Sequence, residues 1–327
     1  MSKTHKEWER PLMELEDGIL KLKELAKKEQ DPVKKRTQEA RIADYEARRD
    51  RYVEVMYANL GPWEKVLVAR ADRRPYTLDY VQSIFHNFVE LQGDRRGFVD
   101  QAIVGGPAML DGKAVMIVGH QKGRSIQERQ LRNFGYARPE GYRKATRMFE
   151  MAERFRMPVI TFVDTPGADA GLEAESRGIS EAIAASIFKM FELTVPSISV
   201  IIGEGGSGGA IGIAATNKVL MLEHSIYSVI APEGCASILW RQSERGADAA
   251  RALKLTAECA LDFDLVDEIV PEPKGGAHRD WPMVFANTKA AILSNLCNLE
   301  KLDQQTINQT RYDRFRKMGI FSDGLAG

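Results

Sequence analysis

From Val200 to Ala215 the chain reads Val-Ile-Ile-Gly-Glu-Gly-Gly-Ser-Gly-Gly-Ala-Ile-Gly-Ile-Ala-Ala: an apolar run, a glycine loop and a run of small residues. No other stretch limits the fold so narrowly. Ile198–Ile202 is apolar and β-branched enough to predict a buried parallel strand. Ala210–Asn217 predicts a short helix leading straight into Val219-Leu-Met-Leu222. Five glycines in the seven positions from Gly203 to Gly209 leave Cβ atoms only on Glu204 and Ser207. Bare backbone N–H groups are then able to face a ligand. At a helix start such groups lack intrahelical partners and share the positive end of the macrodipole, which stabilises an anion.

Three anion-binding templates compete for this loop. A Walker A loop follows its last glycine with Lys and Ser/Thr; Gly209-Ala210 stand here instead, which argues against a nucleoside triphosphate. Gly203-x-Gly205-x-x-Gly208 matches the dinucleotide fingerprint formally, with Glu223 about 20 residues on as a ribose-binding acid. The helix, of only about two turns, and its place after two earlier strand–helix units weigh against that reading. The third template is an oxyanion hole, in which paired N–H groups hold the negative oxygen of an enolate or tetrahedral species. The alternative to all three is close packing of helix on strand, and five glycines in seven exceed what packing needs.

The 327 residues, 44% hydrophobic and 28% charged, suffice for a well-buried core in one large or two small domains. Basic and acidic residues balance at 46 each, so nothing points to nucleic acid or an acidic membrane surface. Met1-Ser-Lys-Thr-His-Lys-Glu-Trp-Glu-Arg10 has no apolar leader core, and no run approaches the length of a membrane span; a soluble, cytoplasmic protein is expected. Cys235, Cys259 and Cys297 are isolated, with no CxxC pair, and read as ordinary buried thiols.

In chain order, residues 6–57 carry Leu12, Leu15, Ile19 and Leu22 at helical spacing, then a break at Asp31-Pro32. This predicts a helical hairpin whose second arm runs from about Val33 to Tyr57 and serves packing or assembly. Leu60-Gly-Pro-Trp63 ends the arm, and a helix from Tyr76 to about Phe88 is expected with Thr77 as its cap. From Gly97 short strands begin: Gln101–Val104, an Asp111-Gly112 hairpin turn, then Ala114–Val118. The last runs into Gly119-His-Gln-Lys-Gly-Arg124, a polar loop at a strand's C-terminal end, where ligands gather in parallel sheets. Lys122 and Arg124 there are candidates to meet phosphate or carboxylate, or simply to face solvent. A helix over Glu140–Arg156 precedes a strand over Met157–Val163 that ends in the turn Asp164-Thr-Pro-Gly167. Its DxxG form has no Walker A partner and so is no GTPase loop. Next come a loop from Ala168 to Gly178, helices over Ile179–Leu193 and Ala247–Leu261, a strand over Val266–Val270 and a helical tail from Trp281. The fold class is therefore α/β, with strand–helix units flanked by helical arms.

Gly93-Asp-Arg-Arg-Gly97, Gly119–Arg124, Arg138-Pro-Glu-Gly-Tyr-Arg-Lys-Ala145, Asp164-Thr-Pro-Gly-Ala168, Gly203–Ala210 and Tyr227–Trp240, taken together and in this order, resemble the carboxyltransferase α subunits of bacterial acetyl-CoA carboxylase. The resemblance covers nearly the whole chain. It implies a crotonase-type spiral of β-β-α units, with a helical arm over 1–92, a carboxyltransferase core over 93–273 and a helical segment over 274–327. It also implies an α₂β₂ assembly with a β subunit, active sites between the two kinds of chain, and a zinc ribbon on the β chain only. The implied reaction moves a carboxyl group from carboxybiotin, presented by the biotin carboxyl carrier protein and loaded by biotin carboxylase, to acetyl-CoA, giving malonyl-CoA. Such chemistry needs two stabilised oxyanions and close reactants more than it needs catalytic side chains.

By the same resemblance the glycine loop holds the biotin oxyanion. The N–H groups of Gly208 and Gly209 are the expected donors, with Gly205 and Gly206 as the alternative pair, and Gly209→Val is expected to cripple turnover with little loss of fold. His120, Lys122, Arg124, Gly167 and Ala168 are expected around the cofactor. Where the family usually has Tyr-Pro-Gly after this turn, the chain has Asp169-Ala170-Gly171. A serine hydrolase with Ser207 as nucleophile and His224 or His120 as base is the rival, and a purely scaffolding subunit the remaining option.

Overall fold

The computed structural model describes residues 5–319. Helices α1 (His5–Lys28) and α2 (Pro32–Ala58) form the expected hairpin. Asp31 starts α2 by accepting the N–H groups of Val33 and Lys34, and Pro32 fits the first turn, where no N–H is needed. Ile19, Ala26 and Ile42 make a small core between the arms. At the hairpin's base, Glu9 accepts hydrogen bonds from Tyr57 and Arg279, which fastens the arm to the body.

Leu60-Gly-Pro-Trp63 follows the end of the arm, as expected, and also opens a helix: α3 spans Pro62–Ala69, with Pro62 in its first turn. Helix α4 (Thr77–Ile84) is capped from Tyr76, whose N–H goes to Asp79. Thr77, expected as the cap, instead turns its hydroxyl to the carbonyl of His120.

Strands β1 (Ile103–Leu110) and β2 (Lys113–His120) form the hairpin, with Asp111 and Gly112 both at positive φ as its two-residue turn requires. After α5 (Ile126–Leu131) and α6 (Pro139–Arg154) come β3 (Val159–Thr165), the short α7 (Leu172–Ser176) inside the expected loop, and α8 (Ile179–Glu192). Strand β4 (Ser197–Gly206) swallows the first half of the glycine loop, and α9 begins at Ser207 and ends at Ile211. The helix expected over Ala210–Asn217 therefore lies several residues earlier and is shorter. Its continuation is unnecessary because the carbonyls of Gly212 and Ile213 accept the hydroxyls of Ser186 and Thr161.

Strands β5 (Lys218–Leu222) and β6 (Ile226–Ser228) follow, then α10 (Pro232–Trp240). The helix expected over Ala247–Leu261 is two helices, α11 (Gly246–Leu253) and α12 (Ala257–Asp262). They are parted by Lys254 at φ 49°, and Thr256 caps the second. Strand β7 (Glu268–Val270) and helices α13 (Trp281–Leu299) and α14 (Gln304–Lys317) complete the described chain.

The seven strands run in the order β1-β2-β3-β4-β5-β7, with β6 on the end of β4; only β1 with β2 is antiparallel. Side chains alternate across the buried strands. Ile117, Phe162, Val200 and Leu220 face α4 and α13, whereas Val118, Val163, Ile201 and Met221 face α6 and α8. Both faces are covered, which is why the strands read as continuous apolar runs. Of the cysteines, Cys235 is buried, but Cys259 is half-buried and Cys297 exposed, so burial is the exception among them.

Candidate active site

The parallel strands β2, β3 and β4 end together, and their following loops gather there. The loop after β2 carries Lys122, the end of β3 and the loop beyond it Asp164–Ala168, and the end of β4 and the start of α9 the glycines.

Four of the five loop glycines are explained by what their missing Cβ atoms would hit. At Gly203 a Cβ would lie 2.4 Å from Oδ1 of Asp164, and at Gly205 2.8 Å from the Tyr227 ring. On Gly206 it would stand 2.2 Å from the carbonyl oxygen of Pro166, and on Gly209 2.5 Å from the backbone nitrogen of Ala168. These distances are below any real Cβ contact, so packing does need most of the loop's glycines, contrary to the expectation from their number. Gly208 is different: a Cβ there would meet only Ile183, at 3.8 Å. It lies beside Ser207 on the wall of an apolar cavity of about 390 Å³ that Tyr227, Phe263 and Phe315 also line.

The start of α9 thus lies on the wall of an apolar hollow, where a hydrogen bond to a charged oxygen is stronger than in water. Ser207 holds φ at 54°, a left-handed conformation that turns the chain from strand into helix there. Gly205 and Gly206, the alternative donor pair, are paired with β6 in the sheet. Gly167 and Ala168 lie against Gly209, so two loops bring backbone to one place.

The charged residues fall elsewhere. Lys122 donates to Asp164 at 2.7 Å and to Glu204 at 3.0 Å, and Glu204 also receives Arg70 at 2.8 Å. Arg70 reaches on to Glu233 in the first turn of α10. Burial works against the charge on Lys122, yet the two carboxylates hold its ammonium above the usual lysine range. Burial alone would raise the Glu204 carboxyl, but Lys122 and Arg70 outweigh it and hold it at about 2. This cluster borders a smaller hollow of about 170 Å³ with Tyr76, Phe134 and Pro166. Glu204, Arg70 and Asp164 were missed as site residues. The signal for Glu204 was available, since it is one of only two side chains that the glycine loop keeps.

His120 is fully buried, and neither ring nitrogen makes a well-formed hydrogen bond among the described residues. Burial and the nearby Lys122 push it down to about 3, so it is a neutral ring. It lies under the carbonyl of Gly209, which also accepts the hydroxyl of Tyr142 at 3.2 Å. Arg124 is exposed, bonded to Asp79 and stacked between Tyr76 and Trp281 at 4.7 and 5.1 Å. It borders a separate open cleft with Arg73 and Arg129. Asp169 accepts from Gly171, Asn133 and Arg138 and so ties the turn after Gly167 to the segment before α6. His224 is buried beside Glu272 and Tyr57. Among the described residues neither His120 nor His224 hydrogen-bonds Ser207, so the pairing a serine nucleophile needs is not formed.

Residues 5–319 match the family profile described as "Acetyl co-enzyme A carboxylase carboxyltransferase-like". The acetyl-coenzyme A carboxylase carboxyl transferase subunit alpha of Geobacter metallireducens is 53% identical over 317 residues, covering 97% of this chain and 98% of the relative. Its counterpart in Thermus thermophilus is 50% identical, over 97% and 99%. Among solved structures, a transcarboxylase 12S with methylmalonyl-coenzyme A bound aligns at TM-score 0.56 and 20% identity, over 70% of this chain and 42% of that one. A Pseudomonas malonate decarboxylase hetero-tetramer in complex with coenzyme A aligns at 0.58 and 15%, over 73% and 94%. These two likenesses concern the fold.

Proposed function

Because the chain belongs to the acetyl co-enzyme A carboxylase carboxyltransferase-like family, we propose that it is the α subunit of an acetyl-CoA carboxylase carboxyltransferase. In this role it helps transfer a carboxyl group to acetyl-CoA, giving malonyl-CoA for fatty acid synthesis. It works in the cytoplasm with a zinc-bearing β subunit in an α₂β₂ assembly, beside the biotin carboxyl carrier protein and biotin carboxylase. No helix among the described residues is long and apolar enough to cross a membrane.

One observation supports the site above the others: Gly208, the loop glycine that packing does not require, stands on the wall of the apolar cavity. Carboxybiotin, when presented there, supplies the carboxyl group and then a basic ureido oxygen. The N–H groups of Gly208 and Gly209 at the start of α9, with the Gly167–Ala168 turn beside them, face the oxygen that gains negative charge. One such donor is typically worth about 3 kcal/mol of barrier. The apolar walls exclude water, which strengthens those hydrogen bonds and protects the transferred group. The acyl thioester is held across the interface by the β chain. Lys122 acts from behind, in the ion network, rather than on the ligand itself.

The test is malonyl-CoA decarboxylation coupled to biotin carboxylation, run with this chain alone, with its cognate β chain alone, and with both. Activity only in the mixture is expected. Activity from this chain alone, or none from a well-assembled mixture, would overturn the proposal.

A further inference from the structure

Strands β3 and β4 run in register from Val159 with Ser197 to Val163 with Ile201, and resume at Thr165 with Gly205. Between those pairs Asp164 alone stands opposite Ile202, Gly203 and Glu204, so β4 bulges away from its neighbour. The bulge is filled by a carboxylate. Oδ1 of Asp164 accepts the N–H of Glu204 at 2.9 Å, in place of a ladder bond, and occupies the space that Gly203 leaves by having no Cβ. The same oxygen accepts Lys122 at 2.7 Å, and Lys122 grips the Glu204 side chain as well. Glu204 is therefore fixed through backbone and side chain at once, and the Asp164 side chain is only 4% exposed.

The bulge has a geometric effect on the site. Before it, β4 pairs with β5 through Ile198–Ile201; from its last residue onward, Glu204, Gly205 and Gly206 pair with β6. That change of partner carries Ser207 and Gly208 to the wall of the cavity, next to Tyr227 and Ser228 of β6. We infer that Asp164, backed by Lys122, is a positioning residue for carboxyl transfer: it locks the bulge that aims the Gly208 N–H into the cavity. The inference deepens the function proposed above and rests on it. The ion network is not merely a fastening between strands, because the carboxylate at its centre accepts a backbone N–H inside the stretch where the β3–β4 ladder is interrupted.

Asp164→Asn and Asp164→Ala test this in the assembled α/β enzyme, purified by gel filtration. Asn keeps an acceptor oxygen for Glu204 but loses the charge that Lys122 holds; Ala loses both. Since misplacement by about 1 Å costs roughly 100-fold, Asp164→Ala is expected to lower kcat about 100-fold and Asp164→Asn about tenfold, with KM for malonyl-CoA within about twofold. Amide exchange should accelerate over residues 205–209 and stay unchanged over 159–163. A wild-type kcat in either assembled variant, with only the melting temperature lowered, overturns the inference; so does a loss confined to KM. If the Ala variant does not assemble, Asn decides by the same criteria. Gly208→Ala is run alongside. If it keeps wild-type kcat, the site and this inference fall together; if it is inactive beside a fully active Asp164→Ala, only the inference falls.

Discussion

Gly208→Ala separates the chemistry of the glycine loop from its packing. An added methyl meets Ile183 at 3.8 and 3.9 Å, ordinary contact, and nothing else within reach. Alanine in a helix is favoured over glycine by about 0.5–1 kcal/mol. The variant should therefore melt at the wild-type temperature or up to about 2–4 °C higher, the usual scale for 1 kcal/mol in a large domain. The same methyl stands beside the N–H that the ligand oxygen must reach. The N–H itself stays in the variant, so the effect is steric: a methyl that holds the ligand oxygen out of hydrogen-bond reach forfeits about 3 kcal/mol, and kcat should drop by roughly 10²–10³. Gly209→Ala should do the reverse damage first. Its methyl would sit 2.5 Å from the Ala168 nitrogen and 2.6 Å from the Gly167 carbonyl carbon, both rigid backbone, and overpacking of this kind costs about 1–3 kcal/mol. Gly209→Val, expected from sequence to spare the fold, is worse still. Thermal melting of the isolated chain and malonyl-CoA decarboxylation of the assembled enzyme measure the two quantities separately. A Gly208→Ala enzyme with native kcat would refute the donor assignment; a Gly209→Ala chain with an unmoved melting temperature would refute the packing argument.

Ser207→Gly should raise stability by about 1 kcal/mol, because a left-handed φ costs an L-residue that much. Ser207→Ala should keep carboxyl transfer within about threefold, whereas a loss of about 10⁴ or more would restore the nucleophile reading. Acid should loosen the fold in a defined window. Burial raises the carboxyls of Glu9, Glu204 and Glu272, but hydrogen bonds from His278 and Arg279 to the first, Lys122 and Arg70 beside the second and Arg74 beside the third outweigh it and lower each from 4.5 to about 2. A depressed carboxyl contributes stability above its unfolded pKa and loses it as pH falls to the folded one. The urea midpoint should accordingly fall between about pH 4.5 and pH 2, with a shallower slope in Glu272→Gln; a flat profile in the wild type contradicts this. Asp31→Ala removes the cap of α2 at a cost of about 1 kcal/mol. It should speed amide exchange in the first turn of that helix and leave kcat unchanged, and unaltered exchange would show that the cap contributes nothing.

What the sequence made legible is what short-range physics controls. Asp31-Pro32 marked a helix start and Asp111-Gly112 a hairpin turn, and the β-branched runs named the central strands, because one or two residues decide each of these. The misses share a different cause. Lys254 splits a helix expected to be continuous by adopting a left-handed conformation that nothing about a lysine announces. The helix expected over Ala210–Asn217 stops at Ile211 because hydroxyls from Ser186 and Thr161, far away in sequence, satisfy the next carbonyls. The carboxylates that Lys122 meets, Asp164 and Glu204, arrive from two other strands, a juxtaposition that the order of residues along the chain does not announce.

The glycines show where residue type stops being informative. Their density draws attention to this loop and by number alone suggests more than packing needs, yet four of the five are packing glycines. Each of the four is required by a different neighbour: a carboxylate, a ring, a carbonyl and a peptide nitrogen, brought from separate elements. Chemistry and packing both select glycine, so the letter cannot tell them apart. What distinguishes Gly208 is that nothing but Ile183 lies near the Cβ it lacks, a property of the space around the residue. A packing glycine replaced by alanine loses stability before activity, and a glycine kept for its exposed N–H loses activity before stability. Applied across the loop, that order of loss should single out Gly208 and leave Gly203, Gly205, Gly206 and Gly209 on the other side.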